Sequence, residues 1–172
     1  ATTGIEGAKI QYSLDGKEYS DEIPTGVDAG DYKVYVKATA DNYVEKIIEV
    51  DSHITKVQLT VTAENKTVEY NEEIPELTYV VKGFVNGESQ EGIGLKVNTP
   101  TTEAVKGSPS DEYPIEVTGD SETKNYTVAY VDGTLTITDN TTGLGDLTAT
   151  GISSPYTGQS QKLLTGEATT GI

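Results

Sequence analysis

The chain has no cysteine, no methionine, no tryptophan and no arginine, and only one phenylalanine and one histidine among its 172 residues. Without Cys it can form neither disulfide staples nor thiolate metal sites. With a single His and no Cys, nucleophilic catalysis has almost nothing to work with. The missing Met is expected of a segment internal to a longer protein. The absence of Arg leaves lysine as the only basic side chain in a chain of formal charge −16. Such a balance repels phosphate, which excludes nucleic-acid binding and electrostatic attachment to anionic lipid. No run approaches the ~20 apolar residues of a membrane span. Apolar residues make up only 34%, so any core is small.

What is present is tyrosine, eleven residues of it. Tyr and Thr favour pleated, half-buried surfaces, which points to β structure. Period-two alternation recurs along the chain: Ile10, Tyr12 and Leu14; Tyr32, Val34 and Val36; Val57, Leu59, Val61 and Ala63; Leu77, Tyr79 and Val81; Tyr113, Ile115 and Val117; Tyr126, Val128 and Tyr130; then Leu135 and Ile137. Each set places one face on a core and the other in water. Asp132-Gly133 sits between two alternating runs and reads as a tight hairpin turn. The only helical signal is a single turn near Glu88–Glu91, ended by Gly92 and Gly94.

The chain also repeats. Ala-Thr-Thr-Gly-Ile occupies residues 1–5 and again 168–172, a period of 167 residues (168 − 1). This reads as a window on a tandem array. Inside it, Leu59-Thr-Val-Thr matches Leu147-Thr-Ala-Thr, and Tyr70-Asn-Glu matches Tyr156-Thr-Gly. Glu112-Tyr-Pro-Ile-Glu-Val matches Asp31-Tyr-Lys-Val-Tyr-Val, and Asn125-Tyr-Thr-Val matches Asn42-Tyr-Val-Glu. The expected organisation is a complete β module over 57–138 and a linker over 139–146. A second module is split between 147–172, its opening part, and 1–56, its remainder. The short junction at Thr55–Val57 joins the two modules nearly rigidly. Repetition, acidity and the lack of Cys together favour a bacterial cell surface.

The complete module resembles the MBG domain of YGX type, found in large bacterial surface proteins and adhesins. The resemblance rests on Leu59-Thr-Val-Thr-Ala-Glu-Asn-Lys-Thr-Val-Glu-Tyr-Asn, on Ile74-Pro-Glu-Leu-Thr-Tyr-Val-Val-Lys-Gly, on Asn86-Gly-Glu, and on Asn125-Tyr-Thr-Val through Asp132-Gly-Thr-Leu-Thr-Ile. The family's tyrosine corresponds to Tyr70. Asn71 stands where Gly is usual, and Asn can still adopt positive φ there. The resemblance implies a stalk or adhesive repeat outside the cell and brings no catalytic residues with it.

Candidate chemistry is sparse. His53, in Asp51-Ser-His-Ile, is expected to make a polar contact between modules rather than to belong to a triad. The carboxylate pairs Asp21-Glu22, Glu72-Glu73 and Asp111-Glu112 read as solvated loop charge. A structural calcium is the one cofactor left open, through Asp15, Glu18, Asp21, Glu22, Asp28 and Asp31, or Asp139 and Asp146, although none follows a known calcium-loop spacing. An intramolecular Lys–Asn or Lys–Asp crosslink is likewise open. The Asn-X-Thr triplets at Asn65, Asn125 and Asn140 are uninformative in a bacterial protein. Tyr19 and Tyr35 are the tyrosines expected to be exposed.

The expectation is therefore an all-β chain of tandem small modules, with an immunoglobulin-like sandwich favoured and a β-grasp-like sheet as the alternative. The function expected is a non-catalytic spacer or stalk repeat of a long repetitive surface protein or extracellular filament. A glycan- or host-protein-binding adhesive module is the alternative. The expected partners are neighbouring repeats of the same protein, head to tail, and a host glycan or protein reached through other regions. There are no catalytic, cofactor-binding or metal-binding residues to nominate.

Overall fold

Val57–Ala63 (β4) carries the strongest alternation in the chain, and its inward side chains Leu59, Val61 and Ala63 are fully buried. A strand with one face so completely covered needs neighbours on both edges. Here it is the centre of a three-stranded sheet, order β6-β4-β8. Tyr79–Lys82 (β6) pairs with it antiparallel and Tyr126–Val131 (β8) parallel.

The computed structural model describes residues 4–145 and 147–168. Among them it is all-β, with no helix and three small sheets. The second sheet has the order β5-β9-β7 and consists of Lys66–Glu69 (β5), Gly133–Thr138 (β9) and Glu112–Ile115 (β7). Its inward residues Ile115, Leu135 and Ile137 meet Leu59, Val61 and Tyr126 of the first in one core, capped by Leu95 and Ala104 from the long β6–β7 connection. The two sheets thus form a small sandwich, each strand giving alternate side chains to the interior. Phe84 meets Tyr126 edge to face, with ring centroids 6.2 Å apart.

The remaining sheet is antiparallel, order β1-β2-β3: Lys9–Ser13 (β1), Gly30–Thr39 (β2) and Lys46–Ile54 (β3). Tyr12, Val36 and Ile48 are cross-strand partners on one face, and Val34 and Val50 continue it. Residues 147–168 turn back on themselves at the bridge Gly151↔Leu164, with the Ile152 N–H donating to the Leu163 carbonyl at 3.1 Å. Of the two Ala-Thr-Thr-Gly-Ile copies, only Gly4, Ile5 and Ala168 lie within the described residues.

The structure corrects the expected hairpin. β8 and β9 are consecutive in sequence but belong to different sheets, so Asp132-Gly133 is a crossing from one layer to the other and not a tight turn. Gly133 does not have positive φ. Its place is set by the backbone of β4, since a Cβ there would lie 2.7 Å from the Ala63 carbonyl oxygen. Asp132 accepts a hydrogen bond from the Val117 N–H at 3.1 Å, which fixes the corner. Asn71 does adopt positive φ, 71°, as the turn after Tyr70 requires. The segment Ser89–Leu95 forms one hydrogen-bonded turn, closed by Gly94 at φ 69°. β3 and β5 have no counterpart in the alternation pattern.

Candidate functional site

Asn125 lies just before β8 and Asp28 just before β2, 97 positions apart in sequence, yet their side chains meet. The Asn125 amide Oδ1 accepts the Ala29 N–H at 2.8 Å, and its Nδ2 donates to Asp28 Oδ1 at 3.1 Å. The Asn125 carbonyl accepts the Val57 N–H at 3.0 Å, where β4 begins. One residue therefore ties the loop before β2, the first residue of β4 and the start of β8 together. Lys124 Nζ adds an ion pair to the other Asp28 oxygen at 2.6 Å. The Lys124 ammonium, followed by the Asn125 amide, holds the Asp28 carboxyl below the usual carboxylate range. Asp28's own carbonyl accepts the Tyr32 hydroxyl at 2.7 Å, which anchors the loop to β2.

A second tie runs through the connector. Between β3 and β4 lie only Thr55 and Lys56. Lys56 Nζ donates to Glu122 Oε2 at 2.7 Å and to the Thr123 carbonyl at 2.8 Å. Exposed ion pairs on their own contribute little, because water screens them and ordering the side chains costs entropy. A partly buried amide making two directed hydrogen bonds is better placed to set an angle. Beside Asn125 is a groove of about 130 Å³, with Val27, Ile54, Val57, Val85 and Tyr126 along it. The Tyr126 hydroxyl donates to the Glu88 carboxylate and accepts the Val85 N–H. Hydrogen bonding to Glu88 raises its pKa, and burial adds to the effect.

The residues weighed for chemistry from sequence go elsewhere. His53 does not bridge modules. Its Nδ1 meets Asp31 Oδ1 at 2.6 Å across β2 and β3, in the open, because the two residues are cross-strand partners. The acidic loop residues are taken up by local structure. Asp15 Oδ1 accepts the Ser13 hydroxyl at 2.8 Å and the N–H groups of Lys17 and Glu18. These bonds, led by the Lys17 N–H, lower its pKa to about 2. Asp21 pairs with Gln11 and Lys9. Asp146 lies outside the described residues. Among the described residues, no three acidic or histidine side chains converge as a metal ion would require. No lysine is buried, so no Lys–Asn pair sits in a core. Tyr19 and Tyr35 are half-buried, Tyr19 beneath Lys37 with Nζ 4.1 Å from the ring centroid, and the exposed tyrosines are Tyr43, Tyr70 and Tyr156.

A family model, the MBG domain of YGX type, matches residues 59–136. The central module is an MBG domain. The match covers the two-sheet sandwich from the second turn of β4 alternation through most of β9. The MBG family is in general a repeat family typical of surface proteins. No curated protein and no solved structure matches the chain. Among the described residues, no helix is long and apolar enough to cross a membrane. Within the MBG domain, Tyr70 and the Asn71 turn close the end of β5, where the Tyr70 N–H donates to the Thr138 carbonyl at 2.8 Å. Asn125, the first residue of the Asn-Tyr-Thr-Val stretch, points out of the domain into the junction with the preceding sheet. Sequence reading missed that role, because the Asn125-Tyr-Thr triplet carries no local sign of a partner 97 residues away.

Proposed function

We propose that the chain is a spacer repeat in the stalk of a long extracellular bacterial surface protein or filament, with no catalysis of its own, and that its job is to hold successive β modules at a set angle. The observation that carries this reading is the junction. A two-residue connector, the Asn125 clamp and the Lys56 tie all act at the same place. A flexible tether between modules would need none of these contacts, since polar linkers of even moderate length decouple what they join. Net charge −16 supports a surface that stays soluble and does not self-collapse.

The test is a distance distribution across the junction. The chain lacks Cys, so spin labels can be placed at Asp41→Cys and Val105→Cys without interference. One narrow distance is expected. Asn125→Ala should broaden it while each sheet keeps its β signature. A distribution that is already broad in the unaltered junction would sink the spacer reading.

A further inference from the structure

The C-terminal half of β3 pairs with β2 as β9 pairs with β7 in the MBG domain. In the domain, Tyr113 of β7 lies opposite Leu135 of β9, and Ile115 opposite Gly133. In the N-terminal sheet, Tyr32 of β2 lies opposite Ser52 of β3, and Val34 opposite Val50. The sequence matches Glu112-Tyr-Pro-Ile to Asp31-Tyr-Lys-Val and Asn125-Tyr to Asn42-Tyr equate these same pairs. So β3 occupies the place of β9. There the likeness stops. β9 is flanked on its outer edge by β5, parallel, with Lys66 opposite Leu135 and Val68 opposite Ile137. Among the described residues β3 is the edge strand of its sheet and carries no such neighbour. Along β3 the apolar face is open as well: Ile48 and Val50 are 45% and 43% exposed, although their neighbour Val36 on β2 is buried, whereas Ile115 and Leu135 are fully buried. An edge of nine residues with an uncovered apolar face is a template for another strand.

We propose that the open edge and face of β1-β2-β3 receive residues 147–168 of a second copy of this chain. Three observations select that occupant. First, the segment carries the counterparts of what is missing. Leu147-Thr-Ala-Thr matches the β4 sequence Leu59-Thr-Val-Thr, and Tyr156 and Leu163 stand at the spacing of Tyr70 and Leu77. Leu59 is 0% exposed and Leu77 packs on the core, but Leu147 is 73% exposed and Leu163 79%. Second, residues 147–161 contain no charged side chain, in a chain that is 23% charged. Residues 1–56, with the loops that flank the sheet, carry eleven acidic side chains against six lysines, and an uncharged segment joins that region without repulsion. Third, a segment of this length is about one side of a standard interface, roughly 20–30 residues.

The MBG domain also supplies the register. Lys66–Glu69 lie along Leu135–Thr138, so Ile152–Pro155 should run parallel to Ser52–Thr55, with Ser153 opposite His53. The proline falls at the last position, at an outer edge where a missing N–H is tolerated. The contact joins two different surfaces, so it need not close and can propagate head to tail. This inference stands apart from the spacer reading: a junction can be stiff with the edge unfilled, and the edge can fill across a loose junction.

Two measurements test it. In sedimentation velocity the mass of the chain should rise with concentration, and Leu147→Asp or Ile152→Asp should weaken association at least tenfold. In a mixture of the Ser153→Cys and His53→Cys chains, a short bis-maleimide should trap a dimer. Replacing the His53→Cys chain by Val105→Cys should trap none. A chain that stays monomeric up to millimolar concentration overturns the proposal. So does association indifferent to Leu147→Asp, equal trapping at Val105→Cys, or a doubly substituted Ser153→Cys, His53→Cys chain that crosslinks within itself as a monomer.

Discussion

Gly133 offers a sharp test of how the MBG domain turns its corner. A Cβ added there would stand 2.7 Å from the Ala63 oxygen, 3.1 Å from the Ala63 carbonyl carbon and 3.2 Å from the Glu64 carbonyl carbon. All three are backbone atoms at the end of β4, so no side chain can swing aside. Overpacking of this kind costs about 1–3 kcal/mol. Alanine recovers about 0.4–1 kcal/mol by restricting the unfolded chain. The net loss for Gly133→Ala is therefore about 1–2 kcal/mol, equivalent to a fall in Tm of roughly 5–15 °C for a domain of this size. Urea unfolding should show a lower midpoint with an unchanged slope. Gly133→Asn separates the two readings of Asp132-Gly133. A tight turn with positive φ would accept Asn. A close backbone approach would reject it at least as strongly as Ala. If Asn is neutral and Ala costly, the corner is a turn and the crossing described above is wrong. If both are neutral, β4 and β9 are not in contact at this point.

Further outcomes follow from the same packing. Leu135→Ala, at a fully buried position of β9, should cost about 2–5 kcal/mol in urea unfolding. Asp15 has its folded pKa depressed to about 2, so the stability it lends its turn is present above its unfolded pKa and lost as pH falls from about 4 toward 2. Carboxyl-detected NMR should find its midpoint well below the usual carboxylate range, and Asp15→Asn should flatten the acid limb. Thermal melts with excess calcium and with chelator should nearly coincide. A rise of many degrees with calcium would show that the acidic loops converge on an ion.

What could be read from the chain, and what could not, follows burial. β4 was legible because Leu59, Val61 and Ala63 face one core while the residues between them face out. β3 was not, because it is an exposed edge: Ile47-Ile48 breaks the alternation and Asp51-Ser-His is polar, and no covered face forbids either. β5 is only four residues long and its pattern is lost in so short a span. Asp132-Gly133 was misread because a hairpin turn and a close backbone approach both select Gly. Only Ala63, 70 positions away (133 − 63), tells them apart. The Asn125 clamp was invisible for the same reason, since its partners Asp28 and Ala29 share no local pattern with it. The MBG resemblance was readable because its residues are contiguous runs.

The parallel pairing of β4 with β8, and of β5 with β9, bears on how the domain would meet a load. Tension reaching it through the flanking chain would enter at Val57, the first residue of β4, and leave at Thr138, the last of β9. Two parallel strands drawn apart at opposite ends slide along each other. The rungs from Val57↔Tyr126 to Thr62↔Val131, and from Lys66↔Leu135 to Glu69↔Thr138, would then bear force together. An antiparallel pair pulled at one end opens rung by rung and yields early. The same sheet order that buries the core thus sets the domain's tensile behaviour, and its lifetime under force is governed by the unfolding rate rather than by equilibrium stability.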